Sequence, residues 1–365
     1  MESSGKKIII TVSNDIVTDQ RMARIAHSLH KIGFQVEIIG RKMKNSMELE
    51  EKSYQQTRLH LWFDHGILFY AELNIRFFIF LLLHKADAIY AVDADTGLAA
   101  LLVKKLKGIK MIFDAHELFS EVPEVTHRKF IKRIWQRIER WVIYTADRHI
   151  TVSHSIAKHY HILYGKPFHV LRNVPEPYLV HQDVSDPRII LYQGALNKGR
   201  GLEELIKAIA ELDMVIHLAG EGDITHELKA LAVAHHVEDK VFFLGKVSPF
   251  NLKKETAKAW IGYNLLENDG LSYFYSLSNK TFDYMMAGLP QLIPPFPEYE
   301  LLNKDWKFGI ITKLDKDAIV AAIERLKSEP VLYQELKAGA INASKSLNWH
   351  EEALKLKEII TDLLR

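Results

Sequence analysis

Gly262–Pro295 reads GYNLLENDGLSYFYSLSNKTFDYMMAGLPQLIPP, and its pattern of apolar runs and breakers decides the fold. Ile261 to Leu266 is an apolar run of strand length, and Glu267 to Tyr275 is a glycine-bearing loop. Ser276 to Ala287 has helical periodicity and is stopped by Gly288 and Pro290, after which Gln291 to Ile293 is a second strand. Such a strand–helix–strand unit is a parallel crossover. Its helix points free N–H groups and the positive end of its dipole at the crevice above the sheet. Asn279 and Asp283 lie four residues apart on one helix face, with Lys280 beside them. One turn therefore offers a cation and amides to a diphosphate, and a carboxylate to sugar hydroxyls. Read alone, the same residues also suit an ordinary crossover whose polar groups cap its helix.

The same alternation extends over most of the chain. Upstream, Lys7 to Val12, Gln35 to Gly40, Ala88 to Val92, Lys110 to Phe113, Arg148 to Val152 and His169 to Leu171 read as strands. Helical patterns include Asp19 to Ile32, Thr96 to Leu106, Arg128 to Tyr144 and Ser155 to Leu163. Arg41 to Gly66 is polar and irregular, with room for one short strand. Arg172 to Pro187, RNVPEPYLVHQDVSDP, has three prolines and no periodicity and reads as a linker. Beyond it, strands at Ile189 to Tyr192, Val215 to Leu218, Val241 to Leu244, Ile261 to Leu266 and Gln291 to Ile293 alternate with helical segments, and three helices close the chain from Lys316 to Arg365. The expected class is α/β: two tandem Rossmann-like doubly wound domains facing a cleft, residues 1–176 and 177–346, with a final helix at 347–365 packing back towards the first.

Composition removes several chemistries. The 365 residues, 48% hydrophobic, suffice for two large cores, and the absence of cysteine excludes disulfides, a thiol nucleophile and a cysteine zinc site. MESSGKK precedes only five apolar residues, too few for a signal-peptide core, and the longest apolar run, Phe77 to Leu83, is far shorter than a membrane span. A cytoplasmic protein is the expectation. The net charge of +2 is unevenly divided: 26 basic residues face 19 acidic ones in 1–180, and 22 face 27 thereafter. A basic N-terminal half suits an anionic partner, but no nucleic-acid-binding pattern is present.

In the second half, Gly194, Gly199 and Gly201 bracket a loop, YQGALNKGRGL, that opens a helix near Leu202. Backbone amides there can approach an anion, and Arg200 adds a fixed charge that grips phosphate through two N–H groups. A flexible glycine turn with a solvated arginine would look the same. The spacing is not that of a dinucleotide fingerprint. Two anion-ready helix starts in one domain suit a nucleotide diphosphate better than a single phosphate.

Arg188 to Pro290 resembles the donor domain of glycosyltransferase family 4 (group 1). Five stretches carry the resemblance in order: ILYQGALNKGRGLEELIKAI, HLAGEGD, VFFLGKVSPFNL, SNKTFDYMMAGLPQLI and, at the end, NWHEEALKLKEIITDLL. IIITVSND, FDAHELF, ADRHITVSHSIAKHY and VLRNVPE extend it through the N-terminal half. The resemblance implies the two-domain GT-B fold and a retaining, metal-independent transfer from a nucleotide-diphosphate sugar, with no cofactor. It places donor contacts at Gly194, Arg200, Gly201, Val247, Asn279, Lys280 and Asp283, with Val247 contributing backbone to the base. The family's first glutamate falls at Tyr275, its second at Asp283, its loop arginine at Ala195 and its usual loop lysine at Arg200.

His116, in DAHELFSEVPE, follows a strand at the carboxyl end where ligands enter open sheets. On residues alone it is either a loop hydrogen-bonding group or a cleft residue; the resemblance implies that it lines the cleft near the donor sugar. It is the catalytic candidate, orienting the sugar or polarising the site. Asp15, Arg21, Glu117 and Glu121, with Glu124 in the same loop, are the acceptor candidates, although solvated loop acids fit the glutamates as well. Asp93-Ala94-Asp95 imitates a metal-binding carboxylate pair but lies in the wrong domain, so no metal is expected.

Lys129, Lys132, Arg133, Arg137 and Arg140 line one side of the helix Arg128 to Tyr144. Ile131, Ile134, Trp135, Ile138, Trp141 and Val142 form a stripe along the other. Either the stripe packs on the sheet and the charges are solvated, or the helix lies on an anionic bilayer and brings the enzyme to a saccharide or lipid-linked acceptor in surface polysaccharide or glycolipid synthesis. A nucleotide-sugar epimerase and a non-catalytic nucleotide-sugar-binding protein are the alternative functions for the same fold.

Overall fold

Seven short, mostly apolar runs of the first half form β1 (Lys7–Thr11), β2 (Gln35–Lys42), β3 (Gln55–His60), β4 (Ala88–Val92), β5 (Lys110–Ala115), β6 (Arg148–Thr151) and β7 (His169–Val170). They pair in parallel in the order β3-β2-β1-β4-β5-β6-β7. β4 buries all five residues and β5 all but its first, as a parallel sheet covered on both faces requires. The computed structural model describes residues 5–178 and 188–365, and for Pro123 and Glu124 the backbone alone. Most of the proline-rich segment read as a linker, 179–187, and the side chain of Glu124 lie outside the described residues.

The second half repeats the plan with β8 (Ile189–Gln193), β9 (Val215–Ala219), β10 (Val241–Gly245), β11 (Ile261–Tyr263), β12 (Gln291–Ile293) and β13 (Gly309–Ile311). These are parallel in the order β10-β9-β8-β11-β12-β13. The chain divides into two compact units, Met1–Asn173 with Glu351–Arg365 and Val174–His350. The last helix, Trp349–Leu363, therefore lies mostly in unit 1. There Glu352 accepts the Arg172 N–H at 2.9 Å, and Arg148 pairs with Asp362.

Four local expectations change. β11 ends three residues early, at Tyr263, and the loop after it contains a short helix, Leu271–Phe274. A helix at Pro297–Trp306 and the three-residue edge strand β13, only one residue of which is buried, are added in unit 2. The apolar run ending at Leu83 belongs to an 18-residue helix, Gly66–Leu83, long and apolar enough to cross a membrane by length and composition alone. Run counting missed it because Glu72 and Arg76 interrupt it, yet they lie one turn apart and pair with each other at 2.8 Å. Finally, the apolar stripe of the helix Lys129–Thr145 is divided: Trp135 and Val142 are buried, whereas Ile134 and Trp141 are exposed.

Candidate active site

In unit 2 the strand order reverses between β8 and β11, so the crevice at their carboxyl ends is where an open α/β sheet takes a ligand. Two loops meet there. After β8 the chain turns through Gly194, whose N–H bonds the Ala219 carbonyl at 3.0 Å. A Cβ on Gly220 would stand 1.9 Å from the Gly194 carbonyl oxygen, so the two loops touch backbone to backbone only because residue 220 is glycine. Gly201, at φ +65°, precedes the helix Leu202–Ile209, and its carbonyl accepts the Tyr263 hydroxyl at 2.6 Å. Arg200 is half-buried beside it, its guanidinium 5.5 Å from the Tyr273 ring.

After β11 the helix Asn279–Met286 begins at Ser278. The Ser278 hydroxyl donates to Asn264 at 2.6 Å instead of capping the helix. Asn264 donates in turn to Thr281 Oγ1 at 2.8 Å and Gln291 at 3.2 Å. The Tyr299 hydroxyl receives the Ser278 N–H at 3.1 Å. The helix start is thus fixed from below while its first turn has no side-chain cap.

Lys280 sits at that start, 8% exposed, with Nζ 3.8 Å from the centre of the Tyr192 ring and no hydrogen-bond partner. Burial, then the neighbouring Arg200 charge, hold its pKa well below the ordinary lysine value. A buried ammonium without an anion is costly, and a phosphate placed against it supplies the missing charge. Asp283, one turn on, accepts the Gln193 side-chain N–H at 2.8 Å, and Gln193 also receives the Thr256 hydroxyl at 3.0 Å. Asn279 is exposed on the outer turn, and Val247, half-buried, follows β10. The structure therefore gathers Gly194, Arg200, Gly201, Lys280 and Asp283 around the crevice of one sheet.

Unit 1 presents a second cluster at the ends of β4 and β5. His116 follows β5, and its ring Nε2 lies 3.1 Å from both Asp114 Oδ2 and Arg21 Nε. Asp114 is fully buried, doubly held by Arg21 Nη2 at 3.0 and 3.1 Å and by the Tyr90 hydroxyl at 2.8 Å. Burial opposes its charge, but the Arg21 guanidinium and His116 overcome that and keep the carboxyl well below the usual range. Asp93 adopts φ +54° at the turn from β4, a conformation aspartate tolerates better than most residues. Its carboxylate accepts the His116 N–H at 2.8 Å. Burial raises Asp93 to about 8 and Asp95 to about 6. His116 is itself raised: burial pulls it down, and the Asp114 and Asp93 carboxylates outweigh that.

Two acceptor expectations are corrected. Arg21 is 3% exposed and commits its N–H groups to Asp114, His116 and, at 2.9 Å, the Leu171 carbonyl, so it positions His116 from beneath. Asp15 is 5% exposed and turned towards Ser46 and, at 3.8 Å, Arg58. Glu121 pairs with Lys132 at 2.7 Å, which removes Lys132 from the free basic face, and Glu117 is exposed next to His116. Asp114 was missed by the sequence reading. Its signal was present in MIFDAHE: a carboxylate ending a buried strand needs a partner, and Arg21 is the cation that supplies one. Among the described residues no group of three or more His, Asp or Glu side chains is placed to hold a metal ion.

The profile of Glycosyltransferase Family 4 matches residues 19–175, and that of Glycosyl transferases group 1 matches residues 180–343. The chain belongs to the group 1, family 4 glycosyltransferases. No curated protein matches this glycosyltransferase at a significant level. Its fold is that of solved GT-B structures. Sucrose-phosphate synthase from Thermosynechococcus elongatus superposes with a TM-score of 0.82 at 16% identity, over 98% of this chain and 99% of that one. Anabaena HepE, in complex with UDP-glucose, gives 0.76 at 13% over 98% and 99%. The lipopolysaccharide outer core galactosyltransferase WaaB gives 0.70 at 14% over 98% and 99%.

Proposed function

We propose that this glycosyltransferase moves a hexose, with retention and without a metal, from a nucleotide-diphosphate sugar to a saccharide or lipid-linked acceptor at the inner face of the cell membrane, in surface polysaccharide or glycolipid synthesis. The observation that carries the donor assignment is the buried, unpartnered ammonium of Lys280 at an uncapped helix start, with Arg200 across the loop. That HepE was solved with UDP-glucose supports the same ligand class here.

The chemistry follows from charge. As the bond between the sugar and the diphosphate breaks, negative charge gathers on the phosphate and positive charge on the sugar ring. Lys280, Arg200 and the helix amides stabilise the phosphate in place of a metal ion. Asp283, braced by Gln193, offers a carboxylate to hydroxyls of the nucleotide ribose. In the retaining course the acceptor attacks the same face and its proton passes to the departing phosphate, while His116, held by Arg21 and Asp114, orients the sugar. Glu117, exposed next to His116, is the candidate for an acceptor hydroxyl.

The test is a panel of nucleotide-diphosphate sugars incubated with the purified protein, read for binding, free nucleotide and sugar product. Binding with slow release of nucleoside diphosphate, accelerated by an acceptor, is expected. An epimerised sugar without glycoside would make the protein an epimerase, and binding without turnover would make it a binding protein.

A further inference from the structure

Unit 1 carries an apolar surface that neither the donor loops nor the His116 cluster uses. The helix Gly66–Leu83 buries Phe69, Leu73, Phe77 and Leu81 on one side. The other side exposes Ile67, Leu68, Ile75, Ile79, Leu82 and Leu83, from 41% at Leu82 to 75% at Leu83. A helix covering a sheet in water normally turns charge outward. Here the two charged residues are already paired with each other, and what faces outward is a continuous apolar strip.

The connections β3 to β4, β4 to β5 and β5 to β6 all step the same way across the sheet. Right-handed crossovers therefore place the helices Gly66–Leu83, Asp93–Lys107 and Lys129–Thr145 on one face, and they pack side by side in that order. Tyr70 of the first meets Trp135 of the third edge-on at 4.9 Å. Lys107 of the second donates to the Leu81 and His84 carbonyls at the end of the first, at 2.9 and 2.8 Å. Their outward sides form one surface. On it the third helix exposes Phe130, Trp141 and Tyr144 among Arg133, Arg137 and Arg140.

The exposed charge on these three helices has one sign. The three helices hold four carboxylates, and each is withdrawn. Glu72 pairs with Arg76, Asp95 and Glu139 are buried, and Asp93 accepts the His116 N–H. The exposed charges that remain are Lys105, Lys107, Lys129, Arg133, Arg137 and Arg140. We propose that this face docks unit 1 on an anionic lipid bilayer, with the helix Gly66–Leu83 lying in the interface, its apolar strip among the acyl chains and the neighbouring arginines at the headgroups.

The helix does not span. Both its ends run into strands of the same sheet and four of its side chains sit in the core of that unit, so crossing would strip them from it. Charge complementarity selects the occupant, because a second copy of this face would set cations against cations. Trp62, 84% exposed just before the helix, carries Arg76 over its ring at 4.9 Å, an aromatic and cation pairing suited to the headgroup layer. The proposal deepens the acceptor reading, since a bilayer is where a lipid-linked acceptor resides. Its test omits donor and acceptor, so it stands or falls apart from the donor assignment.

The full chain is sedimented with vesicles of phosphatidylcholine alone or with one anionic lipid in three, at low and high salt. Three proteins are compared: wild type, Ile75→Glu/Ile79→Glu, and Arg133→Gln/Arg137→Gln/Arg140→Gln. Circular dichroism verifies folding, and brominated acyl chains report tryptophan insertion in the wild type. Binding to anionic vesicles is expected to fall at least tenfold in each variant, the arginine variant also losing its salt dependence, with bromolipid quenching of the wild type and less quenching in Trp62→Phe. Absence of wild-type binding at low salt, full binding by both variants, or no quenching on vesicles would overturn the proposal. So would a dimer in solution that Ile75→Glu/Ile79→Glu dissociates in the absence of vesicle binding, because the strip would then belong to a second copy.

Discussion

Lys280 is a residue the fold would not tolerate for stability alone. Its ammonium is buried against Tyr192 without a hydrogen-bond partner, and burial together with Arg200 lowers its pKa. An anion bound against it reverses that shift. Wherever the pH lies between the free and bound values, binding must therefore take up a proton, and affinity must fall as pH rises through that window. Calorimetry of a nucleoside diphosphate in buffers of different ionisation enthalpy should show this uptake in the wild type and none in Lys280→Met. The sequence placed this lysine at a helix start after a buried strand, in SNKTFDYMMAG, but not its burial against Tyr192. The role of Arg21 was not legible: sequence shows the charge, but only the packing of β5 against its neighbours reveals that the charge is answered by buried Asp114, 93 positions away.

The helix Lys129–Thr145 carries a buried acid. Glu139 accepts the Tyr160 and Tyr164 hydroxyls at 3.0 and 2.8 Å, and burial, opposed by these bonds, raises it to about 7. The folded protein therefore keeps a proton that the unfolded chain releases near the ordinary glutamate value. Stability should fall as pH rises from about 4.5 to about 7 and then level off, by on the order of 3 kcal/mol. Urea unfolding of Glu139→Gln at pH 5 and pH 8 should lose most of the difference seen in the wild type. The sequence placed this helix and its cations well, but it gave no sign that position 139 turns inward or that the apolar stripe divides between core and surface. Packing settles them: Gly97, for one, admits Val142, whose Cγ2 would stand 2.6 Å from a Cβ there. Strand positions were legible because burial on both faces enforces continuous apolar runs; the edge strand β13, with one of its three residues buried, lacks that signal.

The whole molecule is two parallel sheets of seven and six strands, each with its crevice at the carboxyl ends, and their alternation of strand and helix was readable except at Gly66–Leu83, Pro297–Trp306 and β13. The glycosyltransferase family was legible in its motifs, whereas the donor sugar and the acceptor were not, because the fold alone hosts several. In the proposed donor site Lys280 and Arg200 serve where an ion otherwise would. Transfer or donor hydrolysis should accordingly persist in excess chelator and gain nothing from added Mg²⁺ or Mn²⁺; loss on chelation with recovery on adding either ion would contradict it.

The central claim is that unit 2 binds a nucleotide diphosphate through Lys280 and Arg200. Calorimetric titration of the matching nucleoside diphosphate into wild type, Lys280→Ala and Arg200→Ala tests it most directly. Each substitution should weaken binding by about 1.5 to 3 kcal/mol, the range for a charge-assisted contact. Unchanged affinity in both variants, with the fold intact, would contradict the account.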